Sequence, residues 1–293
     1  MTTLSPSLTE TQTPTPETFQ TGQVLTVASG HFLHDTYSAF VAPLLPLLIE
    51  KLSLSLTLAG SLSSIMSLPS LITPFIGYLA DKVSVRYFII LAPGVTATLM
   101  SFMGLANSYW ALAILFLITG VSIAAFHAPA PALIARVSGR KVGRGMSIFM
   151  ASGEMGRTVG PLVAVWAVSL WGLEGMYRLA IIGWVASGIF YWRFRDVPAR
   201  AQKNVGFREL MPLAWRLFVS LFFITLSRDF LAVSLGLYLP TFMHEQGVSL
   251  WLAGAALSIY ELAGVGGALF SGTVSDRFGR KSVLLVGFIL SGI

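Results

Sequence analysis

Long apolar runs separated by short polar stretches organise almost the whole chain. Each run holds about 20 or more predominantly apolar residues, the length at which a helix crosses the hydrocarbon core of a bilayer. The pattern predicts eight spans and a final apolar stub, at 24–49, 57–80, 87–107, 109–135, 145–171, 176–195, 213–243, 250–275 and 281–293. We therefore expect an all-α polytopic membrane protein.

The composition of the chain agrees with this class and argues against a soluble helical enzyme. Hydrophobic residues occupy 55% of the 293 positions and charged residues only 11%, whereas soluble domains carry about 25% charged residues. There is no cysteine, so disulfide and thiolate chemistry are excluded. The patterns HExxH, GxSxG and GxxxxGKS/T are absent. We predict no enzyme activity, no cofactor, no metal and no nucleic-acid partner.

The positions of the basic residues predict the orientation of the spans. Most of the 19 Lys and Arg residues lie in or beside the loops after spans 2, 4, 6 and 8, the exceptions being Lys51, Arg157, Arg178 and Arg228. Loops rich in Lys and Arg are retained on the cytoplasmic side of a membrane. The even-numbered loops and the N-terminus are therefore predicted to be cytoplasmic, in an integral protein of the plasma (inner) membrane.

The same pattern divides the chain into four predicted segments. Residues 1–23 are rich in Thr, Pro and Ser without Lys or Arg, which is typical of a disordered tail rather than a signal peptide. Residues 24–195 form a first six-helix bundle and 196–211 a cytoplasmic linker. Residues 212–293 hold spans 7 and 8 with a stub of span 9, so we expect a second bundle that is truncated at its C-terminal end.

An internal repeat relates spans 1 and 2 to spans 7 and 8. The sequence SLTLAG at 55–60 returns as SLWLAG at 249–254, an offset of 194 that also relates Pro46 to Pro240 and Asp35 to Asp229. The sequence GYLADKVSVR at 77–86 returns at an offset of 195 as GTVSDRFGRK. Parallel six-helix halves, each with a nested inverted repeat, are a transporter architecture.

The repeated loop resembles the cytoplasmic signature GxxxDRxGRK of the major facilitator superfamily. The second copy is complete, with Gly272, Asp276, Arg277, Gly279, Arg280 and Lys281. The first copy keeps Gly77, Asp81, Lys82 and Arg86 but has Ser84 in place of the glycine. For Asp81 and Asp276 we weigh helix termination against a role in holding one state of a transport cycle.

Three further segments resemble a narrower branch of that superfamily. GHFLHDTYSAFVAPLLPLL in span 1 and AAFHAPAPALIA in span 4 are similar to the fosmidomycin-resistance branch of proton-driven exporters. GEMGRTVGP at 153–161 resembles the span-5 motif of drug/proton antiporters, with Arg157 where a proline is common. Gly156, Gly160 and Pro161 of this motif are also expected to pack helices, because GxxxG lets two backbones approach.

Ionisable residues inside the spans are the candidate coupling and cavity residues: Asp35, Glu154, Arg157, Arg228, Asp229 and Glu261, with His31 and His127. Counted at 1.5 Å per residue, they fall at about one depth. A charge that faces lipid costs about 2.5–3.5 kcal/mol, so these groups should face protein or a water-filled cavity. The alternative to a functional role is internal salt bridging, for which Glu154 and Arg157 are suitably spaced. His34 is expected to be an interior packing residue.

The charge balance and the resemblance together predict the activity. Four acids face two arginines within the spans, and a buried acid without a partner tends to hold a proton. In the superfamily that the chain resembles, spans 1, 4, 7 and 10 line the central cavity. We predict proton-coupled efflux of a small molecule or drug by alternating access. The alternatives are proton-symport uptake and a truncated membrane protein that does not transport.

Overall fold

A computed structural model describes residues 18–73, 75–77, 79, 85–194, 215, 219, 222, 230 and 232–291. Its regular elements are all helical. The α-helices are α1 (Thr21–Ser38), α2 (Val41–Leu52), α3 (Leu56–Ser67), α4 (Val85–Ser101), α5 (Tyr109–His127), α6 (Ala130–Val137), α7 (Val142–Trp171), α8 (Ala180–Phe194), α9 (232–245), α10 (Leu250–Phe278) and α11 (Arg280–Ser291). Short 3₁₀ turns cover Leu68–Ile72, Met103–Leu105 and Glu174–Leu179.

Four described helical stretches are long and apolar enough to cross a membrane: Thr21–Leu52, Arg86–Leu105, Tyr109–Val137 and Leu250–Gly267. They coincide with predicted spans 1, 3, 4 and 8. The helices Val142–Trp171 and Glu174–Phe194 pass the same test as a pair, with a bend of 118° between them. Helix α7 is not among the four single stretches because its ionic residues lower its mean hydropathy. Leu56–Ile72 is a shorter apolar helix at predicted span 2. Predicted span 7 is described only at 215, 219, 222, 230 and 232–243.

Prolines interrupt the helices of the first and fourth spans. In span 1, α1 ends at Ser38 and α2 begins at Val41. Pro43 has no N–H to donate to the carbonyl of Ala39, so the helical ladder is interrupted there. In span 4, Pro131 likewise cannot donate to the carbonyl of His127, and α5 ends at that histidine. The predicted spans 24–49 and 109–135 contain no interruption, so both breaks correct the prediction. Helix α1 begins at Thr21, three residues before the predicted start of span 1.

The first bundle has two apolar layers with a polar layer between them. On one side Phe40, Leu44 and Phe116 belong to a buried cluster, and on the other Val27 and Phe149 belong to a second. Helices α1, α4, α5 and α7 each contribute to both clusters and carry polar residues between the two contributions. The buried polar residues that these four helices place in this layer are His31, His34, Asp35, Thr36, Thr96, Thr119, Ser122 and Thr158.

The internal repeat is visible in the backbone where α2 meets α3 and where α9 meets α10. Leu54 N–H donates to Ile49 O, and Val248 N–H donates to Met243 O, which are equivalent positions at the offset of 194. Both turns pass through positive φ, at 49° for Ser53 and 81° for Gly247. This 6→1 bond with a left-handed residue is a Schellman ending. The next helix then begins in both copies with a serine cap, whose Oγ accepts from the N–H three residues later.

Candidate transport site

Asp35 is a buried carboxylate on α1 that meets three cationic or basic side chains. Its Oδ2 lies 3.4 Å from Nε2 of His31, one turn earlier on the same helix, and 3.3 Å from Nη1 of Arg157. Its Oδ1 lies 3.4 Å from Nε2 of His127 at the end of α5. Asp35 is only 2% exposed. At 1.5 Å per residue it lies roughly 21 Å along the helix from Thr21, near the middle of the 32-residue span.

Arg157 is the centre of a wider group of charges. Its guanidinium pairs with Glu154 on the same helix, with Asp35 on α1 and with Glu261 on α10, the last through Nε at 3.3 Å from Oε2. We call Asp35, Glu154, Arg157 and Glu261 the charge cluster. The Arg157 side chain is 40% exposed, whereas that of Asp35 is 3% exposed. The cluster therefore has a buried end at Asp35 and an open end at Arg157.

Two glycines of α7 allow this cluster to form by letting α7 approach α1 closely. A Cβ at Gly156 would overlap the carbonyl oxygen of Phe32 and lie 3.1 Å from the Asp35 Cβ, and one at Gly160 would overlap the Thr36 carbonyl. Because these two positions have no side chain, α7 lies close enough to α1 for Arg157, the residue after Gly156, to contact Asp35. Pro161 follows inside α7 and is buried. On the opposite side of α7, Gly254 of α10 faces Val165, where a Cβ would be 3.1 Å from Cγ2.

The histidines of the polar layer have different surroundings. The His31 ring stacks on Phe149 with centroids 4.0 Å apart, and its Nδ1 lies 2.8 Å from the Phe149 carbonyl oxygen. The His127 Nδ1 lies 3.0 Å from the carbonyl oxygen of Ile123. The His34 ring stacks on Phe126 at 4.7 Å, and within the described part of the chain neither of its nitrogens has a hydrogen-bond partner.

The structure thus brings together six of the eight ionisable residues selected from the sequence: His31, Asp35, His127, Glu154, Arg157 and Glu261. The other two, Arg228 and Asp229, lie outside the described residues, as do Asp81 and Lys82 of the first signature loop. In the second signature loop, the side chains of Asp276, Arg277 and Arg280 are also outside the description.

The remaining signature residues have defined positions. Gly279 separates α10 from α11 at a φ of 83°, a conformation for which glycine is preferred, and Lys281 is exposed after it. Gly272 lies within α10. Arg86 joins the start of α4 to the end of α8, with Nη1 3.5 Å from Phe194 O and the guanidinium over Tyr87. Gly77 faces the connection between α5 and α6, where a Cβ would be 3.9 Å from that of Ala128.

Sequence analysis identified the Glu154–Arg157 pair but missed how Arg157 connects three helices. Residues three apart on one helix can be paired by counting, whereas a contact between α1, α7 and α10 depends on how each helix is rotated. The GxxxG pattern carried a usable signal, since it identifies the face of α7 that meets another backbone. Nothing in the sequence indicates which backbone carbonyl oxygens the rings of His31 and His127 contact.

Comparison with known proteins identifies the family. The sequence profile of the Major Facilitator Superfamily matches residues 27–293. The chain belongs to this superfamily. The match confirms the predicted family and fold class, an all-helical integral membrane protein, and with them the prediction that the chain is not an enzyme.

Individual relatives and a solved structure agree with that assignment. The chain is 25% identical over 270 residues to the fosmidomycin resistance protein of Escherichia coli K12, covering 88% of this chain and 66% of the relative. It is 28% identical over 284 residues to the multidrug resistance protein MdtG of Citrobacter koseri, covering 91% of this chain and 70% of the relative. The chain therefore spans about two thirds of the length of these relatives.

A bacterial homologue of the human lysosomal transporter Spinster, solved in an inward-facing and unoccupied conformation, has the same fold. It superposes with a TM-score of 0.68 at 18% identity, over 90% of this chain and 64% of that chain.

Proposed function

We propose that the protein is a secondary active transporter that exports a small molecule or drug in exchange for protons by alternating access. The observation that carries this proposal is the charge cluster, in which one arginine holds three carboxylates from α1, α7 and α10. The first two helices belong to the first repeat copy and α10 to the second. Alternating access moves one copy against the other around a site near the bilayer midplane.

The pairing of Arg157 with Glu261 supports a coupling of helix movement to protons. This ion pair crosses between the two repeat copies, so it has to break when α10 moves away from α7. A carboxylate that loses its counter-ion in a poorly hydrated site is costly while it stays charged. Glu261 would therefore accept a proton when the pair opens and release it when the pair re-forms, with Glu154 keeping Arg157 neutralised in between.

Asp35, His31 and His127 would form one wall of the proposed cavity, on spans 1 and 4, with Asp35 and His31 buried and the His127 side chain 37% exposed. Arg228 and Asp229 on span 7 are assigned to the same cavity because span 7 lines it in the superfamily, and Asp229 is the repeat counterpart of Asp35. We infer the direction of transport, export, from the names of two relatives, a fosmidomycin resistance protein and a multidrug resistance protein. Fosmidomycin and structurally diverse drugs are therefore the first compounds to test as substrates.

The predicted arrangement in the membrane completes the proposal. The N-terminal tail 1–23, the linker 196–211 and the two signature loops would lie on the cytoplasmic side, and the bundles 24–195 and 212–293 would pack across the pathway. Asp81 and Asp276 in the signature loops would hold one state of the cycle through helix N-termini of the other half.

An efflux assay tests the function. Cells lacking their own exporters and expressing the protein should accumulate less fosmidomycin, or less of at least one drug in a panel, than cells with an empty vector. Glu261→Gln should abolish this difference. Glu174→Gln is the matched control, because Glu174 pairs with Lys51 and its side chain is 71% exposed. Equal efflux by the wild type and Glu261→Gln at equal expression would contradict the coupling role of Glu261.

A further inference from the structure

Three ligand-type atoms converge beside the charge cluster. Nε2 of His31 lies 3.2 Å from Nε2 of His127. The Asp35 carboxylate lies against both nitrogens, with Oδ2 3.4 Å from His31 Nε2 and Oδ1 3.4 Å from His127 Nε2. Each residue can offer an atom to one point, since these atoms lie within 4.8 Å of one another. We call His31, Asp35 and His127 the His–Asp triad.

The backbone determines which nitrogen of each histidine is available to a cation. The Nδ1 atoms of His31 and His127 lie 2.8 Å and 3.0 Å from the carbonyl oxygens of Phe149 and Ile123. A carbonyl oxygen only accepts, so each Nδ1 must carry the hydrogen that it donates. In a neutral ring each Nε2 then presents a lone pair. Hydrogen bonding of the second ring nitrogen to a carbonyl is the usual support of a metal-binding histidine.

When both histidine rings are neutral, the triad has no donor for the atoms that meet in it. Two nitrogen lone pairs and a carboxylate converge, and Oδ1 of Asp35 is buried without a hydrogen-bond partner among the described residues. Arg157 contacts the other oxygen, Oδ2, at 3.3 Å, and is itself paired with Glu154 and Glu261. Negative and lone-pair atoms gathered in this way repel one another unless a proton on one Nε2 or a metal cation lies between them, and a metal cation would take the place of that proton.

The spacing of these atoms suits a small cation. Zinc–nitrogen and zinc–oxygen bonds near 2.0–2.1 Å place neighbouring ligands of a tetrahedron about 3.3 Å apart. The two nitrogens are 3.2 Å apart, and each lies 3.4 Å from one oxygen of the Asp35 carboxylate, Oδ2 for His31 and Oδ1 for His127, so a small rotation of the carboxylate would bring one oxygen to an ion held by both nitrogens. Two imidazoles and one carboxylate favour a transition metal over calcium or magnesium, which prefer oxygen ligands. Three protein ligands leave the fourth position open, on the side where the His127 side chain is 37% exposed.

The charge of the surroundings also favours a divalent ion. Among the described residues of the charge cluster, three carboxylates face one guanidinium, a formal charge of −2. A divalent cation would neutralise it in a part of the molecule where an uncompensated charge is costly.

From these observations we propose that His31, Asp35 and His127 bind a divalent transition-metal cation of the zinc type in the middle of the first bundle. The ion ties α1 to the end of α5 and takes its fourth ligand from the space between the helices. The site requires only the first bundle, so its occupation does not depend on the transport proposed above.

Cobalt(II) binding to the purified full chain tests the site directly. The protein is purified in detergent without a polyhistidine tag, treated with a chelator and titrated with Co²⁺. The absence of cysteine means that thiolate–cobalt absorption cannot interfere. We expect visible absorption of tetrahedral intensity that saturates at one Co²⁺ per chain and disappears when Zn²⁺ is added. Absorption no stronger than that of hydrated Co²⁺, or binding without saturation, would overturn the proposal.

Two variants separate the triad from other histidines. His127→Gln, at the more exposed corner of the triad, should weaken Co²⁺ binding at least tenfold and remove the increase in Tm that Zn²⁺ gives the wild type. His244→Gln should leave both unchanged, because His244 lies near the far end of span 7, beside Glu50. If His127→Gln fails to fold, Asp35→Asn provides the same comparison. Loss of binding in His244→Gln with retention in the triad variants would show that the site is elsewhere.

Discussion

Arg157 is the residue on which the charge cluster depends, because it is the common partner of Asp35, Glu154 and Glu261. Removing the guanidinium of Arg157 leaves three carboxylates facing one another, whereas removing one carboxylate leaves the guanidinium paired with the other two. The two kinds of substitution should therefore differ strongly in their effect on stability.

We predict that Arg157→Gln destabilises the folded protein by about 1–3 kcal/mol. Removing one partner of a fully buried ion pair costs about 3–5 kcal/mol, and the loss is smaller here because the Arg157 side chain is 40% exposed and solvent screens its charge. Thermal unfolding in detergent measures the loss. Adding Glu154→Gln and Glu261→Gln should recover part of it, because the repulsion between the remaining carboxylates is removed. Arg178→Gln is the matched control, since Arg178 lies in an exposed turn against Trp171 and Tyr177. A triple variant no more stable than Arg157→Gln would contradict this account of the cluster.

At the same scale, the sequence predicted which residues belong to the site better than it predicted their contacts. His31, Asp35 and Glu154 were selected because a polar group in an apolar span needs a partner. Their partners across helices depend on close packing at Gly156 and on the interruption that ends α5 at His127. Both features follow from tertiary packing and from the local effect of a proline, which hydrophobic pattern alone does not reveal.

At the scale of elements, the two copies of the outer turn have the same backbone but different residues at the left-handed position. Ser53 occupies it in the first copy and Gly247 in the second. A residue with a Cβ is strained in this conformation and glycine is not.

Exchanging these residues should therefore have opposite effects on stability. Ser53→Gly is expected to stabilise the protein by about 1 kcal/mol and Gly247→Ser to destabilise it by a similar amount. Thermal unfolding of the two single variants beside the wild type gives the comparison, and each serves as the control for the other. Shifts of the same sign would show that the two turns are not equivalent.

The elements themselves were predictable because a membrane span is a strong and long signal. Predicted spans 1, 3, 4 and 8 all have a counterpart that is long and apolar enough to span. What the pattern missed was local: the interruptions near Pro43 and Pro131, and the continuation of α10 to Phe278. The serine caps at Ser55 and Ser249 agree with the repeat that the sequence indicated.

At the scale of the whole molecule, the proposed orientation rests on the distribution of Lys and Arg. Single cysteines test it without interference, because the chain has none of its own. Gly143 at the start of α7 and Gln246 after α9 are both exposed and lie at opposite ends of the bundle by the predicted topology.

In intact cells, a membrane-impermeant maleimide should label Gln246→Cys and leave Gly143→Cys unlabelled. Gly143→Cys should react once the membrane is permeabilised, which controls for the accessibility of the residue. Labelling of Gly143→Cys in intact cells, with protection of Gln246→Cys, would mean that the N-terminus lies outside and that the proposed orientation is wrong.

The central claim is that the charge cluster exchanges protons as the two repeat copies move. The most direct measurement is proton movement in inverted membrane vesicles that contain the protein, followed with a pH-sensitive dye after a proton gradient has been formed. Addition of fosmidomycin, or of the drug identified by the efflux assay, should release protons from the vesicle interior in the wild type and in Glu174→Gln. Vesicles with Glu261→Gln should show none of this release. Substrate-dependent proton release that is equal in Glu261→Gln and the wild type would contradict the claim.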